Sequence, residues 1–346
     1  MTSVSVVMPC YRYGHFLDEA VRSVLDDQPG VDVRLLIIDD ASPDDSADVA
    51  RRIAAADPRV EVLVHETNKG HIATYNEGLL EWADGDYTAM VSADDLLTPG
   101  SLSRAAELLD VNPGVGFVYG IARWFWQGQP MPEPRTRLRG WSVWPGPWWL
   151  ERRFRSGENN ITTPEVVVRT SVQRRVGGYD PRLPHAGDLE LWLRLAGAAD
   201  VGFLKGVDQA LYRVHGKNMR ASYSALPDLV QQRLAWEVAY EHTAARMSDP
   251  KGASDAVHRK LGRAALWAAA RMYDEGRADE DAVDELVAFA FDCWPRVDRL
   301  PLYRTLQLRR RIGPERMHRL EPVMVSAFGN RAYGWLRRRG WKYRGY

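Results

Sequence analysis

The chain has little cysteine, little lysine and no long apolar run. Cys10 and Cys293 are its two cysteines. Thiols so far apart in sequence exclude a disulfide framework and a cysteine-rich zinc site. No stretch reaches the roughly 18 consecutive apolar residues of a membrane-spanning helix. The opening MTSVSVVMPCYRYG has neither a basic segment nor a long apolar core, so no signal peptide is expected and the cytoplasm is the expected compartment. Net charge is also missing: 46 basic residues balance 46 acidic ones. With 45% hydrophobic and 27% charged residues, the composition is that of a folded globular protein. At about 100–200 residues per domain, 346 residues make two domains, or one with an appendage.

The zero balance conceals an asymmetry. Residues 1–225 hold 24 basic and 30 acidic residues, residues 226–298 hold 9 and 14, and residues 299–346 hold 13 and 2. A basic end of this kind calls for an anionic partner such as a membrane surface, a nucleic acid or a phosphorylated substrate. Just 6 of the 46 basic residues are lysine, a bias that a GC-rich genome also produces.

The first third alternates strand and helix signals. Val4–Met8 is an apolar run closed by Pro9, and helical spacing of Phe16, Ala20, Val21, Val24 and Leu25 follows over 16–26. Val33–Ile38 is a second buried strand ending in Asp39 and Asp40. Ser42 then reads as a helix cap, with Pro43 at the first helical position and Asp44 and Asp45 in the first turn. Further strands are expected at Val60–Val64, Tyr87–Val91 and Val115–Tyr119, with helices over 71–83 and from Pro99 and Gly100 to Leu109. Alternation of this kind builds a layered α/β sheet of mostly parallel order. Its ligands bind beyond the carboxyl ends of the strands. Those ends carry Cys10 and Tyr11, Asp39 and Asp40, and Asp94 and Asp95. Acidic residues after strands also cap helices, but two such pairs together with Tyr11 favour a site.

Residues 120–160 hold six of the thirteen tryptophans, namely Trp124, Trp126, Trp141, Trp144, Trp148 and Trp149, interleaved with Arg and Pro. Their spacing is neither clearly helical nor clearly strand-like. Indole faces stack on sugar rings or lipid, and they also form satellite cores. Residues 188–196 read as a helix opening at Asp188. Beyond 226 the chain reads as almost wholly helical, with one stripe of Leu261, Ala265, Leu266 and Ala269 and another of Val283, Leu286, Val287 and Ala290. A boundary is expected near 222–228, and there is no clear internal repeat.

Six segments taken in order and spacing resemble the family 2 glycosyltransferases. They are VSVVMPCYRYGHFLDEAVRSVL, LLIIDDASPDDS, NKGHIATYNEG, SADDLLTPGSL, VGGYDPRLPHAGDLELWLRL and YRVHGKNM, and the resemblance spans about residues 3–220. It implies a GT-A fold, an α/β class in which helices sandwich a mostly parallel sheet. Here that makes a nucleotide-sugar-binding catalytic domain over 1–225 and an all-α C-terminal region over 226–346. Members of the family are inverting enzymes that use nucleotide-sugar donors and usually a divalent metal, Mn²⁺ or Mg²⁺. The expected reaction is therefore metal-assisted transfer of a sugar to an acceptor hydroxyl, hexosyltransferase-like, in cell-envelope or exopolysaccharide synthesis. The implied partners are the donor and a carbohydrate or lipid-linked acceptor, and nucleic acid is not among them.

The residue types fit that chemistry. Tyr11 can stack on a nucleobase, and Asp39 can accept a hydrogen bond from the imide N–H of uracil or thymine, which favours a UDP- or dTDP-linked donor. Pro9 fixes the loop. The resemblance assigns Pro9, Tyr11 and Asp39 to those roles and leaves Asp40 to orient its loop or cap the next helix. Asp94 matches the last acid of the family's DXD metal motif. Ser92 stands at the motif's first position among the donor-binding residues, so Asp94 is the chief metal ligand and Asp95 a water-mediated helper. His215 matches a histidine that meets the metal or diphosphate in relatives. Inversion needs a base for the acceptor hydroxyl. Asp188 matches the last acid of the family's Glu-Asp pair, with Gly187 in place of the first, and Glu190 is the next candidate. Lys69 is expected to help hold the donor. The arginine usual at the position of Tyr75 is missing, which shifts phosphate contacts toward Lys69 or Arg213.

Two other readings compete. A sugar-phosphate nucleotidyltransferase shares the sheet and metal chemistry, but PCYRYGHF lacks its glycine-rich loop. A non-catalytic carbohydrate- or membrane-binding relative is compatible with Ser92 and Gly187. Finally, residues 331–346 interleave six Arg or Lys with Tyr333, Trp335, Trp341, Tyr343 and Tyr346. That pattern suits peripheral binding to the inner face of a membrane. It equally suits Trp335 and Trp341 packing on the catalytic domain.

Overall fold

The structure, a computed structural model, describes residues 1–218, 224–320 and 345. The described residues of Met1–Leu150, Asn159–Ala221 and Lys342–Gly345 form one compact unit, and those of Glu151–Glu158 and Ser222–Trp341 form another. Apart from Gly345, the basic aromatic segment 331–346 lies outside the described residues.

In the first unit, strand β1 (Thr2–Cys10) buries Val4, Val6, Val7 and Met8 on both faces. A strand covered on both sides reads as a continuous apolar run, and this is why β1 and its neighbour were visible in sequence. Helix α1 (Gly14–Leu25), strand β2 (Val31–Asp39), helix α2 (Ser46–Ala56) and strand β3 (Val60–Val64) follow, then helix α3 (His71–Asn76) and strand β4 (Tyr87–Met90). Next come β5 (Leu96–Leu97), α4 (Ser101–Val111), β6 (Val115–Tyr119), β7 (Ala122–Trp126), β8 (Trp141–Trp144) and α5 (Gly146–Ser156). The series continues with β9 (Val166–Arg169), α6 (Thr170–Val176), α7 (Gly187–Ala198), β10 (Asp200–Leu204) and β11 (Ala210–Val214).

Eight strands make one sheet in the order β3-β2-β1-β4-β9-β6-β10-β8. The first four are mutually parallel, as are β6 and β10, while β9 and β8 run antiparallel to their neighbours. The chain leaves β1 toward β2 and β3 and then returns to its other side with β4. That reversal opens a crevice at the carboxyl ends, where ligands of such sheets bind. A second sheet, β5-β11-β7, carries the residues after Asp95.

Two local expectations are corrected. Helix α2 opens at Ser46 and not at Ser42. The Ser42 hydroxyl is taken by the Arg12 N–H at 2.9 Å and its amide by Asp39 Oδ1 at 2.9 Å, so Ser42 closes the strand end and is not free to cap a helix. The helix expected over 71–83 changes character at Glu77 and ends in a π-helical turn, Glu77–Trp82. On that turn Gly78 lies so close to the sheet that an added Cβ would overlap Val7 and come 3.0 Å from Ile38.

The tryptophan-rich stretch resolves into two strands and a helix. Trp149 is fully buried, its indole N–H 3.1 Å from the Tyr119 hydroxyl, and Trp144 stacks on Phe203 at 6.1 Å between ring centres. Trp124 and Trp126 stay exposed on β7.

The second unit contains α8 (Ala225–Thr243), α9 (Pro250–Asp274), α10 (Glu280–Cys293), α11 (Pro301–Ile312) and α12 (Pro314–Leu320). Asp249 caps α9 by accepting the Gly252 N–H at 2.9 Å, and Pro250 occupies the first helical position. The stripe of Leu261, Ala265, Leu266 and Ala269 is buried, as are Val283, Leu286 and Ala290 of α10; Val287 is partly exposed and Phe289 is buried beside them.

Candidate functional site

Strand register brings the three polar ends together. Cys10 pairs with Asp39 across β1 and β2, and the Ala93 N–H donates to the Pro9 carbonyl at 3.2 Å. Asp94 therefore follows directly beside the end of β1. Tyr11 projects there with 42% of its surface exposed, and Arg12 lies 5.8 Å from its ring centre. Asp39 is fully buried. Its Oδ1 accepts the Ser42 N–H, while its Oδ2 has no hydrogen-bond partner. A buried acceptor without a donor is costly, on the order of 1–3 kcal/mol, and is the kind of atom a ligand N–H satisfies.

Asp94 and Asp95 point to different tasks. Asp94 Oδ2 stands 3.0 Å from His215 Nε2 and accepts a 3.3 Å contact from the Asn218 amide. Asp95 Oδ1 instead accepts the Arg213 N–H at 2.9 Å, which ties the loop to β11. Burial foremost, and then the Asp94 charge, raises the Asp95 pKa well above the ordinary carboxylate range. Arg213 is buried, donates to the Asp94 carbonyl at 2.9 Å and to Glu19 at 2.5 Å, and sits over the rings of Phe16 and Phe125. Its guanidinium holds the loop that carries Asp94. Ser92 is half-buried, and its carbonyl accepts the Asp95 N–H at 2.9 Å, closing the turn.

The Asp94–His215 pair fits a divalent cation. Two adjacent ligands of an octahedral ion at about 2.1 Å lie about 3.0 Å apart, the spacing already present. No cluster of three or more His, Cys, Asp or Glu groups able to hold a metal occurs among the described residues. A cation on this pair keeps positions open for phosphate oxygens.

Helix α3 links this corner to the candidate base. At its start, Asp40 accepts the N–H groups of Lys69 at 2.8 Å and Gly70 at 2.9 Å and meets His65 Nδ1 at 2.7 Å. Burial raises the Asp40 pKa, but His65 and the two N–H groups outweigh it, so the net shift is downward. The Lys69 ammonium pairs with Glu77 at 2.8 Å. At the other end of α3, Asn76 brackets Tyr179: its Oδ1 accepts the Tyr179 N–H at 2.7 Å and its amide donates to the Tyr179 carbonyl at 2.9 Å. His71 Nε2 meets the Pro184 carbonyl at 2.7 Å. These contacts hold the 179–186 loop that leads into α7.

Asp188 lies in the first turn of α7. Its Oδ1 accepts the Leu189 N–H at 2.6 Å and the Asn159 amide at 3.1 Å. Burial pushes its pKa up to about 6, against those two donors. Glu190 takes the opposite direction into the interior, where it is fully buried and paired with Arg194. It is closed off from the crevice. Tyr75 connects the two halves: its ring packs edge-on against His71 and Tyr179, each at 5.4 Å. Burial first, then the charges of Asp94 and Asp188, raises its pKa, so the phenol stays neutral.

Sequence reasoning missed Asn159, Asn218 and the bracket made by Asn76. The last had a signal: an added Cβ on Gly178 would overlap the Asn76 side chain, so the Gly-Gly-Tyr run marks a close approach.

The fold is that of a glycosyltransferase-type α/β domain of the GT-A kind. Residues 5–174 match the family described as Glycosyl transferase family 2, and that part of the chain belongs to it. The putative teichuronic acid biosynthesis glycosyltransferase TuaG of Bacillus subtilis is 32% identical over 106 residues, covering 31% of this chain and 41% of the relative. The crystal structure of S. aureus TarS 1–349 in complex with UDP-GlcNAc superposes with a TM-score of 0.64 at 17% identity, over 94% of this chain and 92% of that one. The mannosyltransferase PcManGT from Pyrobaculum calidifontis, in complex with GDP-Man and Mn²⁺, gives a TM-score of 0.51 at 16% identity, over 92% and 86%. At these identities the structures establish the likeness of fold. The chain spans 36%, 41% and 61% of the lengths of three curated relatives it matches. No helix among the described residues is long and apolar enough to cross a membrane.

Proposed function

We propose that the chain is an inverting glycosyltransferase that moves a hexose from a UDP- or dTDP-linked donor to an acceptor hydroxyl during synthesis of a cell-envelope or exopolysaccharide polymer. The observation that carries this reading is the join of Asp94 to His215 at 3.0 Å beside the end of β1, together with Asp188 in the first turn of α7, whose pKa burial raises to about 6. Tyr11 stacks on the base and Asp39 Oδ2 accepts its imide N–H. Asp94 and His215 are the residues that would hold a divalent cation, which when bound would supply positive charge for the diphosphate leaving group. The nitrogen ligand favours Mn²⁺ over the harder Mg²⁺. Asp188 takes the proton of the acceptor hydroxyl as the new bond forms, on the face opposite the leaving group. Lys69 and Arg213 serve the reaction by holding the loops, through Glu77 and Glu19.

The test is a screen of nucleotides for thermal stabilisation with Mn²⁺ present. A ligand at a hundredfold over its Kd adds about 2.7 kcal/mol of apparent stability. UDP or dTDP should stabilise more than CDP, whose ring nitrogen accepts where uracil donates. In Asp39→Asn the amide oxygen keeps the Ser42 N–H, so the amide N–H₂ faces the base. UDP affinity should then fall roughly 10–100-fold, in line with an unsatisfied polar pair, and the preference should turn toward CDP. An unchanged ranking in that variant removes Asp39 from base recognition.

We further infer peripheral membrane association through the basic aromatic end, which suits a lipid-linked acceptor. Each basic residue near an anionic surface adds about 1 kcal/mol. Full-length protein should co-sediment with vesicles containing phosphatidylserine at low salt and be released as salt is raised. Reversing Arg337, Arg338 and Arg339 to Glu should abolish that binding, and equal sedimentation by both forms refutes the inference.

A further inference from the structure

The six tryptophans of residues 120–160 do not share one role. Trp149 and Trp144 are absorbed by rings of the core. Trp124 and Trp126 are not: they are 38% and 50% exposed, two residues apart on β7. Side chains alternate across a strand, so both lie on one face. On that same face β11 contributes Tyr212, directly opposite Trp124 in register, with ring centres 5.5 Å apart. The other face of the sheet carries Phe125 and Arg213, both buried, and Arg213 braces the Asp94 loop.

From this arrangement we propose that the outer face of the small sheet, formed by Trp124, Trp126 and Tyr212, is a platform on which a glycan acceptor stacks. The proposal rests on the glycosyltransferase reading and adds the place and the chemical class of the acceptor. Four observations support it. First, the face is continuous with the site. Strand β11 carries Tyr212 and Arg213 and leads directly into His215, and the Tyr212 phenol is close enough to Tyr13 and Tyr75 to help raise the pKa of each.

Second, the platform is held firmly. The Gln127 N–H donates to the Val214 carbonyl and the Gln129 N–H to the Trp126 carbonyl, each at 3.0 Å, around Gly128 at φ 84°. A ring presented on a fixed strand loses little freedom on binding, which favours affinity.

Third, the spacing suits a chain. The two indoles stand about 7 Å apart along the strand, so successive sugar rings can each meet one. Fourth, two arginines of β7 and the segment after it are engaged by protein groups. Arg135 is paired with the buried Asp208, and Arg123 donates to the Glu133 carbonyl at 2.9 Å and lies 3.9 Å from Asp208. Flat aromatic faces match the apolar C–H faces of neutral sugars.

The experiment uses full-length wild type, the double variant Trp124→Ala/Trp126→Ala, and Trp148→Ala as an exposed-tryptophan control. Cellohexaose, mannohexaose and chitohexaose are titrated by calorimetry and tryptophan fluorescence, beside phosphatidylserine vesicles, and UDP with Mn²⁺ is titrated separately. We expect wild type and the control to bind at least one hexasaccharide, the double variant to bind it at least tenfold more weakly, and UDP affinity to be the same in all three. Equal hexasaccharide affinity in wild type and the double variant overturns the platform. So does the absence of hexasaccharide binding by wild type, and so does a fluorescence response to vesicles that the double variant abolishes. Failure of the donor reading registers separately, as absence of UDP binding to wild type.

Discussion

Asp188→Asn should retain nucleotide binding and lose sugar transfer by about 10²–10⁴-fold, the contribution of a positioned proton acceptor. The amide has the size of the carboxylate and keeps an oxygen for the Leu189 N–H and the Asn159 amide, so the turn should survive. In wild type the carboxylate is the active form. With its pKa at about 6, kcat/KM should rise with pH through that value, and the rise should vanish in the variant. The same group bears on stability with a definite sign. Its folded pKa lies above the ordinary 3.8, so the folded state binds the proton more tightly than the unfolded chain. That contribution is fully present below about pH 4 and is lost as pH rises through about 6. Glu190→Gln is the contrasting case. It leaves the Arg194 guanidinium in the interior without its counter-charge, held by the Val176 and Gly178 carbonyls alone, and should cost about 3 kcal/mol in urea unfolding, without moving the kinetic pH limb of the fraction that folds. Near wild-type transfer by Asp188→Asn would assign the proton to another group.

The second large effect is expected of Asp94→Asn, which should weaken Mn²⁺-dependent UDP binding by more than about 100-fold, above the 10–100-fold typical of residues that merely support a metal ligand. The fold should tolerate it. Asp94 is one cause of the raised Asp95 pKa, so neutralising it relieves a like-charge contact beside the Arg213 N–H that Asp95 accepts. Calorimetry with and without Mn²⁺ reads the metal-dependent part. Identical UDP affinity in variant and wild type at saturating Mn²⁺ would take Asp94 out of the site.

Legibility in the sequence followed physical rules. Strands β1 and β2 were visible because burial on both faces leaves continuous apolar runs, and the acids behind them stood out as polar residues at predictable ends. The start of α2 was misread because Ser42 offers the chemistry of a cap, and nothing local says that the Arg12 N–H, thirty residues away, already occupies its hydroxyl. The tryptophan stretch resisted assignment because its strands are short and lie in two different sheets. Tyr75 was noticed for the arginine it replaces. That both Asp94 and Asp188 act on its phenol is a relation among segments about 20 and 113 residues apart that no window of sequence contains.

The site's dimensions also depend on a missing methyl group. Gly78 lets the π-helical turn after α3 rest on Val7 and Ile38, two residues before Pro9 and one before Asp39 in strands β1 and β2. Helix α3 carries Tyr75 and grips the loop before Asp188, so its distance from the sheet sets how far the ends of β1 and β2 stand from Asp188. Chance substitution at position 78 would thus act as a spacer and not as a local packing defect. A lineage of such enzymes has few routes to a wider donor site through this helix, and variation in substrate choice is expected to accumulate instead in the loops and small sheet on the crevice's other wall.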